Sequence, residues 1–334
     1  KEPVIPHYRI CPVCNHLDAN ETPGRPLDKQ EAPCPICDHV FKGQARKIHQ
    51  FIVPDGFRTN PAQSGQPAGQ YVKREANLTR SALLPGEAVA TEPAGDLIEL
   101  GYDRQGKLLY VNEGYLGFGF KICMQCGKAL KKPGKCTATY QGEKCQGTAP
   151  RDAVYSLGFM EKTDTLHLRF HQSPTVNTPP PEDREFWLTL KYALLHGASH
   201  ALQIERRDID GVLFPRGAST GWRQTIVLYD NVPGGAGHVK RIQEEIRAVV
   251  GAALDIVDCE CAEDTSCYRC LRDYSNQWEH HLLVRGRVIP FLRALYASLN
   301  EIEGELPGLY DVAAANLGRW LVEQIEGAQQ EVIL

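Results

Sequence analysis

The spacing of the cysteines limits this chain more than any other feature of its sequence. All 12 cysteines fall into three groups of four, and each group contains at least one pair separated by only one or two residues. Two thiolates at that spacing can bind one tetrahedral ion from a single tight turn, and in a reducing compartment such pairs indicate metal rather than disulfide. The sequence therefore predicts a fold built around three metal sites.

The first group predicts a zinc ribbon. It consists of two C-x-x-C pairs, Cys11 with Cys14 and Cys34 with Cys37, separated by residues 15–33. That separation lets the two turns close one site of four thiolates. The pairs lie among Pro, Asn and Asp residues, whereas a thioredoxin-like C-x-x-C opens a helix after a strand. A redox pair is therefore the weaker interpretation.

The second group predicts another zinc site with looser spacing. Its ligands are Cys123, Cys126, Cys136 and Cys145, in a stretch rich in lysine and glycine. Because these four cysteines would fill all four positions of a tetrahedral ion, the zinc would be structural, whereas catalytic zinc keeps one position open. A buried or redox cysteine pair remains the alternative.

The third group predicts one compact zinc site. A C-x-C pair and a C-x-x-C pair lie so close together that they cannot serve two ions. The four residues are Cys259, Cys261, Cys267 and Cys270. With the other two groups, this gives three structural Zn²⁺ ions as the predicted cofactors.

Composition narrows the choice of partners. The chain has 334 residues, 42% of them hydrophobic, and 41 acidic against 37 basic side chains, a formal net charge of −4. A chain of this charge has no overall field that attracts nucleic acid, so any such contact must be a local patch. No apolar run approaches the roughly 20 residues that cross a bilayer, and no apolar signal segment is visible, so we expect a cytoplasmic protein without membrane contact. Because Lys1 is not methionine, we also expect a longer protein.

Three regions are predicted, and the fold class is α/β (α+β): a mixed sheet with packed helices and inserted zinc ribbons. Residues 1–47 form the first ribbon, residues 48–150 a β-rich region interrupted by the second zinc group, and residues 151–334 an α/β region. Expected hairpins join strands 97–100 and 108–111 through a turn at 103–106, and strands 154–160 and 165–170 through a turn at 161–164. Another strand is expected at 48–53, and a loop at 60–69.

Helical spacing appears in the second half of the chain. Apolar residues recur at that spacing from 184 to 204, which predicts one long helix. A buried strand at 225–229 leads into a glycine-rich turn and a helix over 238–254. Closing helices are predicted over 290–299 and 312–325, with amphipathic patterns that favour packing on the chain's own core.

A family resemblance rests on four short segments in this half. They are residues 193–198 (ALLHGA), residues 228–237 (LYDNVPGGAG), the pair Cys259-x-Cys261, and residues 267–272 (CYRCLR). Together they make residues 155–287 resemble the zinc-binding domain at the C-terminus of MrfA-type superfamily-two helicases. The DrmB component of the DISARM anti-phage system is similar too, and the segment at 274–277 looks closest to it.

This resemblance implies a non-catalytic accessory role in DNA processing, in anti-phage defence or DNA repair. Its partners would be DNA and a superfamily-two helicase, on the same polypeptide or another one. The chain has no G-x-x-x-x-G-K-[ST] phosphate loop, so we do not expect it to hydrolyse ATP by itself.

Two basic clusters are candidates for phosphate contacts. Lys128, Lys131, Lys132 and Lys135 surround the second zinc group, and Arg269, Arg272, Arg285 and Arg287 surround or follow the third. The arginine cluster is the stronger candidate from sequence, because Tyr268, Tyr274 and Trp278 lie among its members and could stack on bases. A solvated rim is the alternative for each cluster.

An enzyme is the competing interpretation. His238 and Lys240 have the H-x-K form of phospholipase-D-type nucleases, and Asp230 lies nearby, but no second H-x-K occurs. The glycine-rich turn at 234–237 opens a helix and could hold a phosphate, although a tight packed turn is favoured. His196 and His200 lie four residues apart, which fits a packed helix face better than a metal site.

Overall fold

A computed structural model of the chain describes residues 7–20, 32–42, 48–54, 77–84, 88–140, 143–151, 155–171, 178–217 and 221–301. The predicted loop at 60–69 and helix at 312–325 lie outside these residues. Within them, nine strands form one mixed sheet that helices cover, and cysteine clusters occupy the inserted ribbons. The predicted fold class is therefore confirmed.

The nine strands of this sheet run through most of the described chain. In chain order they are β1 (His7–Ile10), β2 (Leu17–Asn20), β3 (His49–Ile52), β4 (Asn77–Leu83), β5 (Glu92–Pro93), β6 (Ile98–Tyr115), β7 (Tyr155–Phe170), β8 (Ile209–Arg216) and β9 (Arg223–Asp230). β6 and β7 are the long central pair, antiparallel from Leu157↔Asn112 to Phe170↔Ile98. On its outer edge, each of these long strands pairs with two shorter ones. β4 and β5 pair with β6, and β3 and β9 pair with β7. β3 is parallel to β7, which makes the sheet mixed.

Both predicted hairpins are wrong, because their turn segments continue as extended strand. Residues 103–106 lie inside β6 and residues 161–164 inside β7. The two segments face each other across a bulge between Thr163 and Thr165. A Cβ on Gly106 would overlap the Thr165 side chain, so this glycine serves the close approach of a bulged neighbour instead of a turn.

Four α-helices are present in the described residues. They are α1 (Arg184–Leu202), α2 (His238–Glu244), α3 (Ile246–Val257) and α4 (Ile289–Glu301). α1 follows the predicted range closely, begins at the side-chain cap of Asp183 and ends at Gln203 in the left-handed conformation. The single helix predicted over 238–254 is wrong in one respect, since Glu245 with φ −115° separates α2 from α3.

The main core lies between the sheet and these helices. Leu166 of β7 and Leu194 of α1 are fully buried there, as is Val250 of α3. α1 and α3 approach closely at Gly197, where a Cβ would come 2.5 Å from the carbonyl oxygen of Val249. No helix of the described segments combines the length and apolar character needed to cross a bilayer.

Two ribbons extend from the sheet. β1 and β2 form the hairpin of the first ribbon and join the sheet through β3. The second ribbon lies between the end of β6 and the start of β7. It contains three hairpins of two-residue strands: Lys121–Ile122 with Ala129–Leu130, Gly134–Lys135 with Thr148–Ala149, and Thr139–Tyr140 with Glu143–Lys144.

Candidate metal centres and nucleic-acid surface

The twelve cysteines form three clusters of four, grouped as the sequence predicts. In each cluster all four Sγ atoms lie within 4.8 Å of one another. The closest pairs are 3.6 Å apart in the first cluster, 3.6 and 3.7 Å in the second, and 3.6 and 3.8 Å in the third. Tetrahedral zinc with Zn–S bonds of about 2.3 Å needs Sγ atoms about 3.8 Å apart, whereas a disulfide needs about 2 Å. The clusters therefore fit three structural zinc ions.

Local backbone geometry holds three of the C-x-x-C turns in a common form. The residue directly after the second cysteine is left-handed: Asn15 has φ 64°, Asp38 φ 55° and Gly127 φ 73°. Each donates its N–H to the carbonyl of the first cysteine, at 3.0, 3.0 and 2.8 Å. Asn, Asp and Gly tolerate this conformation best, so the sequence after each pair determines the turn.

The fourth turn, at Cys267–Cys270, is built differently. The N–H groups of Cys270 and Leu271 both donate to the carbonyl of Cys267, at 3.1 Å each. The Cys267 N–H also donates to Cys270 Sγ at 3.1 Å. N–H donors directed at sulfur stabilise thiolates, which are the form that binds metal.

Ionisation is uneven within the clusters. Hydrogen bonds from the Cys11 and Cys14 thiols hold the pKa of the Cys34 thiol well below its usual range. Burial opposes ionisation of Cys267, but the Arg269 N–H and neighbouring thiols lower its pKa to about 7. Burial raises the pKa of Cys270 to about 12. Four thiolates this close can exist together only beside a cation, so the donor set is suited to Zn²⁺.

The first and third clusters are part of the folded body. The first packs against Phe41 and Trp222, and Asn15 Nδ2 donates to the carbonyl of Leu213 in β8 at 2.9 Å. In the third cluster, Cys270 belongs to the main core together with the fully buried Leu271. The second cluster belongs to none of the buried apolar clusters in the described residues.

Comparison with known proteins identifies the segment around the third cluster. Residues 190–271 match the family model of the MrfA Zn-binding (MZB) domain. The resemblance inferred from the motifs is thereby confirmed for this segment, which we call the MZB segment. It begins within α1 and ends directly after the last ligand of the third cluster.

A search of solved structures matches two helicase structures over part of the chain. One is described as "Crystal Structure of DUF1998 helicase MrfA bound to DNA", with 18% identity, a TM-score of 0.40, and coverage of 67% of this chain and 26% of that chain. The other, with DNA and AMPPNP, has 16% identity, a TM-score of 0.30, and coverage of 66% and 23%. The chain thus spans about a quarter of the helicase chains that it matches. No curated protein matches the sequence.

Arg285, in the arginine cluster that follows the MZB segment, is buried. Its side chain is only 6% exposed. The guanidinium donates to the carbonyl of Val257 at 3.0 Å and, through Nε, to that of Cys261 at 2.9 Å. Nη2 donates to Cys261 as well. This arginine therefore joins the end of α3 to the loop of the third cluster, and it is not placed to meet a phosphate.

The other arginines of the cluster also have partners. Arg287 pairs with Asp183 at 2.5 Å and Glu185 at 2.8 Å, and Arg272 donates to two hydroxyl groups. Arg269 is exposed and lies 3.3 Å from Glu260. The segment before this turn is acidic and exposed: Asp255, Asp258, Glu260, Glu263 and Asp264. These charges oppose the approach of a polyanion.

The lysine cluster has the opposite character. Lys128, Lys131, Lys132 and Lys135 are all exposed on the second ribbon. Within the described residues none of them is held in an ion pair. Between residues 121 and 150 the ribbon carries six lysines against one acid, Glu143. The second ribbon is therefore a basic segment in which these four lysines are exposed.

The glycine-rich loop after β9 surrounds the carboxylate of Asp230. Asp230 is fully buried, and its carboxylate accepts N–H groups from Ala236 at 2.5 Å, His238 at 3.1 Å and Val239 at 2.9 Å. The amides that could have held a phosphate are thus occupied by Asp230, as the tight-turn interpretation expects. Lys240 pairs with Glu244 at 3.8 Å. In this geometry Asp230 orders the loop, and its carboxylate is engaged by three backbone N–H groups.

A polar network next to the third cluster was missed at the sequence level. Asp273 Oδ2 lies 3.7 Å from both His196 Nε2 and Arg206 Nε. Burial, followed by the charge of Arg206, lowers the pKa of His196. Burial opposes ionisation of Glu279, but Lys191 and the Tyr192 hydroxyl outweigh it and lower the pKa of Glu279. The residues of this polar network are distant from one another in sequence, so no local motif could have revealed them.

Proposed function

We propose that this chain is a non-catalytic, zinc-stabilised accessory module of a helicase-based DNA-processing system, in anti-phage defence or DNA repair. The observation that carries the proposal is the match of residues 190–271 to the MrfA Zn-binding domain, around a cluster with the geometry for structural zinc. Its partner is a superfamily-two helicase, as a domain of the same polypeptide or a separate subunit. It works in the cytoplasm, where closely spaced cysteines stay reduced.

The module contributes DNA contact through the lysines of the second ribbon. These side chains are exposed, clustered and free of ion pairs within the described residues. A lysine can contact a DNA phosphate wherever its charge comes near the DNA backbone, and this contact releases counterions from the DNA. The arginine cluster is less suited to a duplex backbone, because Arg272, Arg285 and Arg287 are already paired within the protein and only Arg269 is left mostly exposed.

The test replaces Lys128, Lys131, Lys132 and Lys135 by glutamine and measures binding to a short duplex by fluorescence anisotropy over a range of salt concentrations. Each lost phosphate contact should lower the slope of log K against log salt by about 0.9. Four contacts would lower it by about 3 to 4, and affinity at low salt should fall accordingly.

A matched control changes the net charge equally. Arg104, Lys107, Arg207 and Arg293 are exposed and scattered over the fold, so their replacement by glutamine also removes four positive charges. Zinc content and melting temperature are measured in both variants. If the control weakens binding as much as the lysine variant does, or if the lysine variant keeps the full salt slope, the second ribbon does not bind DNA.

A further inference from the structure

A cleft lies beside the third cluster, and Cys270 is the one zinc ligand in its lining. It measures about 520 Å³ and lies between the last turn of α1, the segment that follows it, and the Cys267–Cys270 turn. Side chains that can form hydrogen bonds dominate its lining, with Ile204 and Ile256 as the apolar part. Pockets of this size accommodate small organic ligands.

One wall of the cleft is fixed by the cluster. Tyr268 and Arg269 lie between the ligands Cys267 and Cys270, so closure of the site holds their backbone in place. Tyr268 is 70% exposed. Its ring meets His280 edge to face, with centroids 5.4 Å apart at 87°. A large aromatic ring kept in solvent on a rigid turn is suited to stacking on a planar ligand.

The opposite wall is the end of α1. His196 and His200 lie one turn apart and both line the cleft. His196 Nε2 is buried and faces Asp273 Oδ2 at 3.7 Å, so the exposed His200 is the histidine that a ligand can reach. Gln203 lines the same wall with φ 53°, a left-handed conformation that is uncommon for a residue other than glycine. The exposed side chains of His200 and Gln203 offer donors and acceptors in the same cleft as Tyr268.

Arg269 is the positive charge at this cleft. Its side chain is 74% exposed and its partner Glu260 is 86% exposed, at 3.3 Å. An ion pair this exposed contributes little stability, so it can be exchanged without much loss. A phosphate offers the guanidinium two parallel charge-assisted hydrogen bonds in place of the exposed carboxylate.

We propose that this cleft binds one unpaired nucleotide of single-stranded DNA, with its base stacked on Tyr268, its phosphate on Arg269, and its base edge near His200 and Gln203. An aromatic face next to a guanidinium matches the two parts of a nucleotide, the planar base and the anion. The proposal rests on the proposed DNA-processing function, and it adds the class of strand that is recognised.

The test uses the zinc-loaded chain with a labelled oligothymidine strand and a blunt duplex of the same length. Tyr268→Leu should weaken binding of the single strand at least about tenfold, the effect of losing one stacked base, with the duplex little affected. Tyr268→Phe keeps the ring and should bind as the unmodified chain does. Tyr115→Leu, on a residue of β6 that is 53% exposed and outside the cleft, is the control and should change neither affinity.

The outcomes separate this proposal from the previous one. If Tyr268→Leu binds the single strand as tightly as the unmodified chain while the lysine variant loses its salt slope, the cleft proposal is overturned and the proposed function stands. If Tyr268→Leu loses strand affinity with its zinc content intact while the lysine variant binds normally, the cleft is supported and the second ribbon is not. Equal losses for strand and duplex in Tyr268→Leu would also overturn the cleft proposal.

Discussion

Replacement of Arg285 by methionine should destabilise the third cluster more than its position in a basic cluster suggests. Methionine keeps most of the aliphatic volume but removes the charged donors to the carbonyls of Val257 and Cys261. Val257 is the last residue of α3, so its carbonyl has no acceptor role inside the helix, and a positive charge there also favours the helix dipole. Both effects are lost together in Arg285→Met.

The magnitude follows from these contacts. Each hydrogen bond to a charged group contributes about 1.5 to 3 kcal/mol, and the substitution leaves two carbonyl acceptors without the Arg285 side chain, which is itself only 6% exposed. We therefore expect a loss of about 3 to 5 kcal/mol in the free energy of unfolding. For a chain of 334 residues, whose entropy of unfolding is about 2.1 cal/mol/K per residue, that lowers the melting temperature by roughly 4 to 7 °C. Zinc should also leave the third cluster faster, because the Cys261 backbone is no longer fixed.

The assay is thermal unfolding together with zinc release to a chromogenic chelator. Arg269→Met is the matched control, since the same substitution then removes only an exposed ion pair with Glu260 and should cost less than about 1 kcal/mol. If Arg285→Met melts within about a degree of the unmodified chain and keeps its zinc as firmly, the structural role of Arg285 is refuted, and this arginine would again be a candidate phosphate contact.

Two other perturbations test the zinc sites and the core. The unmodified chain should hold about three zinc ions, and the Cys267→Ser and Cys126→Ser variants should each hold about two. Cys267→Ser should melt at a clearly lower temperature than Cys126→Ser, because its cluster is continuous with the main core. Equal melting temperatures would contradict this ranking. Burial, followed by the charge of Arg169, lowers the pKa of His167 from 6.5 to about 4. The unfolded state therefore binds this proton more tightly than the folded state does. The stabilisation that is present above pH 6.5 is lost as the pH falls towards 4. His167→Asn should flatten the fall in urea-unfolding free energy over that range, and an unchanged pH profile would show that another group causes it.

The parts of the fold that local spacing determines could be predicted from the sequence. The limits of α1 follow from apolar residues at helical spacing and from the Asp183 cap. The grouping of the cysteines follows from pairs that lie within one turn of backbone. In both cases the deciding contacts join residues close together in the chain.

Contacts between distant segments could not be predicted in this way. The Asp103–Gly106 segment contains turn-forming residues, yet Gly106 is required by Thr165 on the neighbouring strand, which no local pattern reveals. β8 was not predicted because Gly211 and Pro215 weaken its pattern, and Pro215 is tolerated on an edge strand. Arg285 looked like a surface cation, because its carbonyl partners lie 24 and 28 residues earlier.

The three zinc clusters differ in how far the side chains around them are constrained by packing, and so in whether those side chains can contact a partner. The first is covered by Phe41 and Trp222, and the third is joined to the core through Cys270. Side chains around these two clusters are therefore constrained by packing, and the third also has an acidic border. Within the described residues, the second cluster is the one that does not belong to a buried apolar cluster. Zinc therefore supplies the order in this ribbon that a hydrophobic core would otherwise provide. Its surface can then carry the exposed Lys128, Lys131, Lys132 and Lys135 without disturbing the fold, as the proposed phosphate contact requires.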